Sequence, residues 1–322
     1  MFISTWSFHE LLRLHGINTS ISVILPVYNE QKRIKQSLER LISYFKGTGW
    51  DYQLIFVDDR STDNTSLILD EYRQKEENIE ILIPPIHLGK GGSIMYAALT
   101  LASTTKNYLA YMDSDLAADP SELERLLEYI DDYDMVIGSR ILRGKLGPIS
   151  RPMHRSFFSR VYSKLFRTLF RIPIRDPQCG LKLFKREVIS SLFGDITTMG
   201  FAFDTDMIVT AFSQRLRIKE VPINWVHGKS SKLHLLTEIQ KMGIDLFSIW
   251  YHSHLSWKER KMCYPQKKGS IYGRVLFDLL SLSNNVKTRP LTPKFNTLLN
   301  TNLINKTSIN GPSIYFDVNK IS

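Results

Sequence analysis

The sequence predicts an α/β fold: a doubly wound, mostly parallel sheet with flanking amphipathic helices. Short β-branched apolar runs recur from residue 21 onward, amphipathic stretches separate them, and the runs lack the apolar/polar alternation of a sheet with one wet face. A chain of 322 residues with 43% hydrophobic content has the length and the apolar surface to bury such a core.

The runs are Ile21 to Pro26, Tyr52 to Val57, Ile79 to Ile83, Tyr108 to Met112 and Asp134 to Gly138. Ligands of doubly wound sheets bind beyond the carboxyl ends of the strands, so the residues after each run carry the functional information. Polar clusters collect there. Pro26-Val27-Tyr28-Asn29-Glu30 follows the first run, and Asp58-Asp59-Arg60-Ser61-Thr62-Asp63 the second. His87-Leu88-Gly89-Lys90-Gly91-Gly92 follows the third, Asp113-Ser114-Asp115 the fourth and Ser139-Arg140 the fifth. The organisation expected is an N-terminal extension over 1–20, the α/β domain over 21–230, a C-terminal amphipathic helix over 231–256 and a basic, Asn-rich, partly disordered tail over 257–322.

Composition excludes several classes. Cys179 and Cys263 are the only cysteines, too few for a disulfide framework and not spaced for zinc. No apolar run approaches the roughly 18 to 20 residues that cross a bilayer, and His9, Glu10 and Arg13 break any secretory leader. A cytoplasmic location is expected. The net charge of +10 is concentrated: no acidic residue occurs from Met135 to Arg175, while Arg140, Arg143, Lys145, Arg151, Arg155, Arg160, Lys164, Arg167, Arg171 and Arg175 do. The remainder of the chain is balanced.

Within that segment Met153 to Phe170 reads as a helix, with Met153, Phe157, Val161, Leu165 and Leu169 on one line, Phe158, Tyr162, Phe166 and Phe170 beside it, and Arg160, Lys164, Arg167 and Arg171 opposite. Its apolar face either packs on the sheet or lies in a headgroup layer, where the basic face attracts anionic lipid. Peripheral attachment to the cytosolic face of a membrane is the expectation. No nucleic-acid motif accompanies the charge, so no nucleic-acid partner is expected.

The chemistry centres on Asp113 and Asp115. Two carboxylates one residue apart, where a buried strand opens into a loop, can reach one hard cation together with diphosphate oxygens. A D-x-D triplet alone is weak; its place after an apolar strand gives it weight. Asp58 and Asp59 can accept from a nucleobase N–H, while Ser61 and Asp63 suit helix capping. Glu30 serves a helix dipole or a ligand. The Gly89-Lys90-Gly91-Gly92 turn offers backbone N–H groups and a cation to an anion, or is a plain helix entry. Asp119 of Asp119-Pro120-Ser121-Glu122 reads as a structural helix start.

Taken in order, Pro26 to Glu30, the Asp58-Asp59 block, Gly89-Lys90-Gly91, Asp113-Ser114-Asp115 and Gly138-Ser139-Arg140 resemble the family 2 inverting glycosyltransferases of the GT-A fold. Asp176 to Phe184, Phe201 to Asp204 and Val221 to Trp225 are similar to the dolichyl-phosphate glucosyltransferase branch, and the resemblance spans about residues 20 to 255. It implies that Pro26, Tyr28, Glu30, Asp58, Asp59 and Lys90 bind the donor, and that Asp113 and Asp115 hold Mg²⁺ or Mn²⁺ and the diphosphate. Arg140 would contact phosphates, and with Arg151, His154 and Arg155 the phosphate of a polyprenyl acceptor. Asp204 stands where related enzymes acting on hydroxyls keep a base; alternatively it orients the sugar or caps its helix. The expected reaction is inverting transfer of a hexose to polyprenyl phosphate, from UDP-glucose first and GDP-mannose next. The alternatives are a glycan or protein hydroxyl acceptor, and an inactive basic membrane- or RNA-binding module.

Overall fold

The five apolar runs become strands in the computed structural model, which describes residues 19–101, 106–142, 153–200, 202–226, 244–251 and 253. These are β1 (Ser20–Val27), β2 (Asp51–Asp58), β3 (Ile79–Leu82), β4 (Tyr108–Met112) and β5 (Met135–Ser139), followed by β6 (Leu181–Lys185) and β7 (Ile218–Pro222). They form one sheet in the order β3-β2-β1-β4-β6-β5-β7. All pairs are parallel except those of β6, which runs antiparallel to both β4 and β5. Consecutive residues such as Val23, Ile24 and Leu25, or Leu54, Ile55 and Phe56, are fully buried. Successive side chains of a strand point to opposite faces, so both faces of the sheet are covered.

The covering helices are α1 (Ile34–Thr48), α2 (Thr65–Arg73), α3 (Gly89–Thr100), α4 (Glu122–Ile130), α5 (Met153–Phe170), α6 (Arg186–Asp195) and α7 (Phe203–Ser213). α1 buries Ile34, Leu38, Leu41 and Phe45 at helical spacing and ends at Gly49, whose φ of 68° is the left-handed conformation that stops helices. Asp119 prepares α4 as expected: its Oδ1 accepts the Ser121 N–H at 2.9 Å and the Ser121 hydroxyl at 2.6 Å.

α5 buries the apolar line that holds Phe166. Phe166 is fully buried with Ser163 beside it, whereas Val161 and Leu165, on the other apolar line, are exposed along with Arg160, Lys164 and Arg167. Residues 244–251 are also helical, with Leu246 and Ile249 buried and Ile244, Phe247 and Tyr251 exposed. No helix among the described residues is long and apolar enough to cross a membrane. The expectations for Arg151, for the side chains of His154 and Arg155, for residues 1–18 and for the tail over 257–322 lie outside the described residues.

Candidate active site

β6 explains why distant segments converge. Because it is antiparallel, its first residue meets the carboxyl end of β4, with Leu181 opposite Met112. The Asp176 to Gly180 segment thereby arrives at the same edge as Asp113 and Arg140. A cavity of about 290 Å³ opens at this edge. The ends of β1 (Pro26, Val27, Tyr28, Glu30) and α1 (Arg33) line one side, and Asp59, His87, Gly89, Lys90 and Ser93 line another. Asp113, Ser114 and Asp115 close it.

The loops after β1 and β2 are sewn together by their polar side chains. Asn29, in the left-handed region at φ 54°, donates its N–H to Ser61 Oγ at 3.0 Å and accepts the Thr62 N–H at 2.7 Å. The Glu30 N–H reaches Thr65 Oγ1 at 2.8 Å, and Asp63 accepts from the N–H groups of Gln31 and Thr65. Ser61 and Asp63 therefore brace one loop against the other.

The adjacent acids part company. Asp58 spends its carboxylate inside the turn, on the Ser61 N–H at 2.9 Å and the Ser66 hydroxyl, and it does not line the cavity. Asp59 does line it. Its oxygens accept the Leu88 and Gly89 N–H groups, each at 2.7 Å, and stand 2.9 Å from His87 Nδ1. The first N–H groups of α3, which the sequence offers to an anionic ligand, thus hold the protein's own Asp59. Gly91 and Gly92 serve packing: a Cβ on Gly91 would press to 2.5 Å from Phe203 Cβ, and one on Gly92 to 2.7 Å from Leu88 Cβ. The exposed Tyr28 ring lies 4.6 Å from that of His87 at the cavity mouth.

Asp113 pairs with Lys90, and a Cβ built on Gly180 would overlap the Asp113 carboxylate. Gly180 is therefore glycine because that acid lies against it. The cavity walls cost the Lys90 ammonium some solvation although its side chain is partly exposed, but Asp113 and Asp204 outweigh that and hold it above its ordinary value. Leu116, at φ 51°, turns the chain so that its N–H meets the Asp113 carbonyl and the Ala117 N–H donates to Asp115 Oδ1 at 3.1 Å. Asp115 is exposed as a residue. The walls around its carboxylate still cost the charged form solvation, and Asp113 adds repulsion, so its pKa is raised. Two carboxylates lining one cavity suit a hard cation, and among the described residues no cluster of three or more metal-ligating side chains competes for it.

Behind the cavity lie two ion pairs. Arg140 grips Asp176 through Nε at 2.7 Å and Nη2 at 2.8 Å, donates to the Gln178 carbonyl and lies over the Trp225 ring at 5.0 Å. It does not line the cavity, nor does Asp204. Lys182, fully buried on β6, donates to Asp204 Oδ1 at 2.5 Å and to the Cys179 carbonyl at 2.7 Å, and the Tyr111 hydroxyl donates to the same Asp204 oxygen. Burial alone would raise the Asp204 pKa; Lys182, then Lys90, outweigh it and hold the acid below the usual carboxylate range. Burial pushes the Cys179 thiol up to about 12, leaving it an inert packing group.

Sequence reasoning gave no individual role to Arg33, Ser93 and Lys182, and placed His87 only within the cluster after the third run. Arg33 holds Glu30 through Nε at 2.8 Å and Nη2 at 2.7 Å. The i, i+3 spacing of these two carried that signal. Lys182 also had a signal: a lysine between Leu181 and Leu183 in a strand covered on both faces must find an acid.

A doubly wound sheet bearing a carboxylate pair beside a cavity at its carboxyl edge fits a GT-A-type glycosyltransferase, and the family match makes the chain one. Residues 22–193 match the family described as Glycosyl transferase family 2, and the chain belongs to that family. Among curated relatives, glycosyltransferase AglD of Haloferax volcanii is 32% identical over 237 residues, covering 72% of this chain and 37% of that protein. Dolichyl-phosphate beta-glucosyltransferase of Saccharomyces cerevisiae is 30% identical over 250 residues, covering 71% of this chain and 73% of that protein. Of solved structures, the glucosyl-3-phosphoglycerate synthase of Mycobacterium tuberculosis in complex with UDP superposes with a TM-score of 0.57 at 21% identity, over 78% of this chain and 87% of that one. The same enzyme has also been solved with Mn²⁺, UDP-glucose and phosphoglyceric acid.

Proposed function

We propose that the chain transfers glucose from UDP-glucose to a polyprenyl phosphate with inversion at the anomeric carbon. The observation that carries the choice of acceptor is Asp204. A hydroxyl acceptor needs a base within reach of its proton, whereas Asp204 gives one oxygen to both Lys182 Nζ and the Tyr111 hydroxyl and does not line the cavity. A phosphomonoester has its second pKa near 6 and is already a nucleophile at neutral pH. The names of the dolichyl-phosphate glucosyltransferase relatives support the same acceptor.

In this reading Tyr28 and His87 offer aromatic surface to the base, and Asp59 fixes the loop that carries His87. Asp113 and Asp115 would hold Mg²⁺ or Mn²⁺, with diphosphate oxygens as further ligands, in keeping with cations that use one or two carboxylates plus substrate phosphates. When bound, the ion neutralises the charge gathering on the departing diphosphate. An acceptor phosphate oxygen forms the bond to the anomeric carbon as the bond to the nucleoside diphosphate breaks, and the electron pair departs with UDP. Lys90 is at hand for that diphosphate. Arg140 would support the acceptor side through its bond to Asp176 rather than from the cavity wall. Exposed Val161, Leu165, Ile244 and Phe247, together with Arg160 and Lys164, suit attachment to an anionic membrane surface.

Full-length protein, labelled UDP-glucose or GDP-mannose, Mg²⁺ or Mn²⁺ and polyprenyl phosphate in anionic vesicles test this. Label from UDP-glucose should become organic-extractable and protein should sediment with the vesicles; absence of extractable label from either donor would sink the reaction. Asp204→Asn strands the buried Lys182 ammonium and is expected to be less stable; compared at a temperature where circular dichroism shows it folded, it should lower kcat less than about ten-fold with donor binding intact, because a true general base is worth roughly 10²- to 10⁴-fold. A loss in that larger range would favour the hydroxyl acceptor.

A further inference from the structure

We infer that Lys90 is a positioning residue that occupies the Asp113 carboxylate in the ligand-free chain and passes to the donor diphosphate when a divalent cation takes that carboxylate over. The inference rests on the metal reading above and adds an order to it: metal and donor bind as a coupled pair because one lysine serves both.

The geometry is asymmetric. Lys90 Nζ pairs directly with Asp113 Oδ1, and both residues line the cavity. An ammonium at that oxygen and a divalent cation ligated by the same carboxylate repel each other at close range. One of the two must move. Asp113 cannot retreat toward Gly180, where even a Cβ finds no room. The Lys90 side chain is 44% exposed and ends a flexible four-carbon stem. The lysine swings and the aspartate stays.

The other cations near the site have separate partners. Arg33 holds Glu30, Arg140 holds Asp176 and Lys182 holds Asp204. Among these four pairs, Lys90 alone is matched to an acid of the D-x-D triplet. Displaced from Asp113, it sits one residue into α3 and beside the cavity, where a diphosphate restores the counter-charge that the metal removed. Metal binding to the free chain therefore works against Lys90, and donor binding returns the loss. By linkage, nucleotide tightens metal and metal tightens nucleotide by the same factor.

Mn²⁺ titrations of the full chain, followed by the electron paramagnetic resonance signal of the free aqua ion with and without UDP, test this on wild type, Lys90→Gln and Lys90→Arg. Without nucleotide, Lys90→Gln should bind Mn²⁺ roughly five-fold more tightly than wild type, the scale of a partly exposed charge interaction. It should also gain less from UDP. Lys90→Arg, which keeps the charge, should stay near wild type. A merely structural lysine would leave Mn²⁺ affinity unchanged or lower it. Either result in Lys90→Gln protein that is folded by circular dichroism, with wild type binding Mn²⁺, overturns the inference and leaves the metal reading standing. Failure of wild type to bind Mn²⁺ with or without UDP overturns both.

Discussion

Asp115→Asn is expected to reduce sugar transfer by about a thousand-fold or more while leaving the melting temperature unchanged or higher. The loss follows from Lewis-acid assistance to diphosphate departure, which is worth several kcal/mol in enzymes that use it. The stability follows from the pKa. Asp115 is raised in the fold, first by lost solvation and then by Asp113, so the folded chain carries its ionised form less well than the unfolded chain does. Stability is then greatest below the unfolded pKa and falls as pH rises through the raised one. An amide in the same place removes that cost at neutral pH and can still accept the Ala117 N–H. Initial rates with labelled UDP-glucose and a thermal melt followed by circular dichroism check the two halves. Activity within ten-fold of wild type would remove Asp115 from the chemistry, and a large fall in melting temperature would make it structural.

Much of this site is legible in the sequence because doubly wound sheets put their loops on one edge. The clusters after β1, β2, β3 and β4 all line the cavity, and each was visible as polar residues after an apolar run. What the sequence hid was how charges are divided within each cluster. Asp58 and Asp59 are chemically identical neighbours, yet Asp58 turns into its own loop and Asp59 reaches across 30 residues to the Gly89 N–H. That choice depends on where the α3 entry passes, which no local pattern encodes. Gly91 and Gly92 of that entry read either as room for an anion or as a plain helix entry, and a Cβ on them would meet Phe203 and Leu88.

β6 was hidden for a different reason. Lys182 and Lys185 interrupt the apolar run of Leu181 to Lys185, and nothing in so short a segment announces its direction. Its direction nevertheless decides the site, since only an antiparallel β6 sets Gly180 against Asp113 and draws Asp176 to Arg140. α5 is the same kind of case: two adjacent apolar lines are legible, and the partner surface selects the one containing Phe166.

Lys182→Met should cost about 3 to 5 kcal/mol of stability, the usual penalty for removing one partner of a buried ion pair. For a domain of this size that lowers the melting temperature by roughly 6 to 20 °C. Lys182 is fully buried and its nitrogen serves two acceptors at once, Asp204 and the Cys179 carbonyl, while crossing the Tyr111 ring at 5.3 Å. Methionine fills the space and satisfies neither acceptor. The Asp204 carboxylate would remain buried with only the Tyr111 hydroxyl to bond it. Lys182→Met combined with Asp204→Asn should therefore lose less than Lys182→Met alone, since the second change removes the stranded charge. The pH dependence separates this from simple loss of packing. In wild type the depressed Asp204 pKa contributes stability that is present above the unfolded value and lost as pH falls through the folded one. Without Lys182, burial would drive the same pKa upward, so the acid destabilises the fold as pH rises. The gap between wild type and Lys182→Met should consequently narrow from pH 7 toward pH 4 in denaturant titrations. A gap that is constant with pH would mean that the lysine is held there by its methylenes and not by its charge.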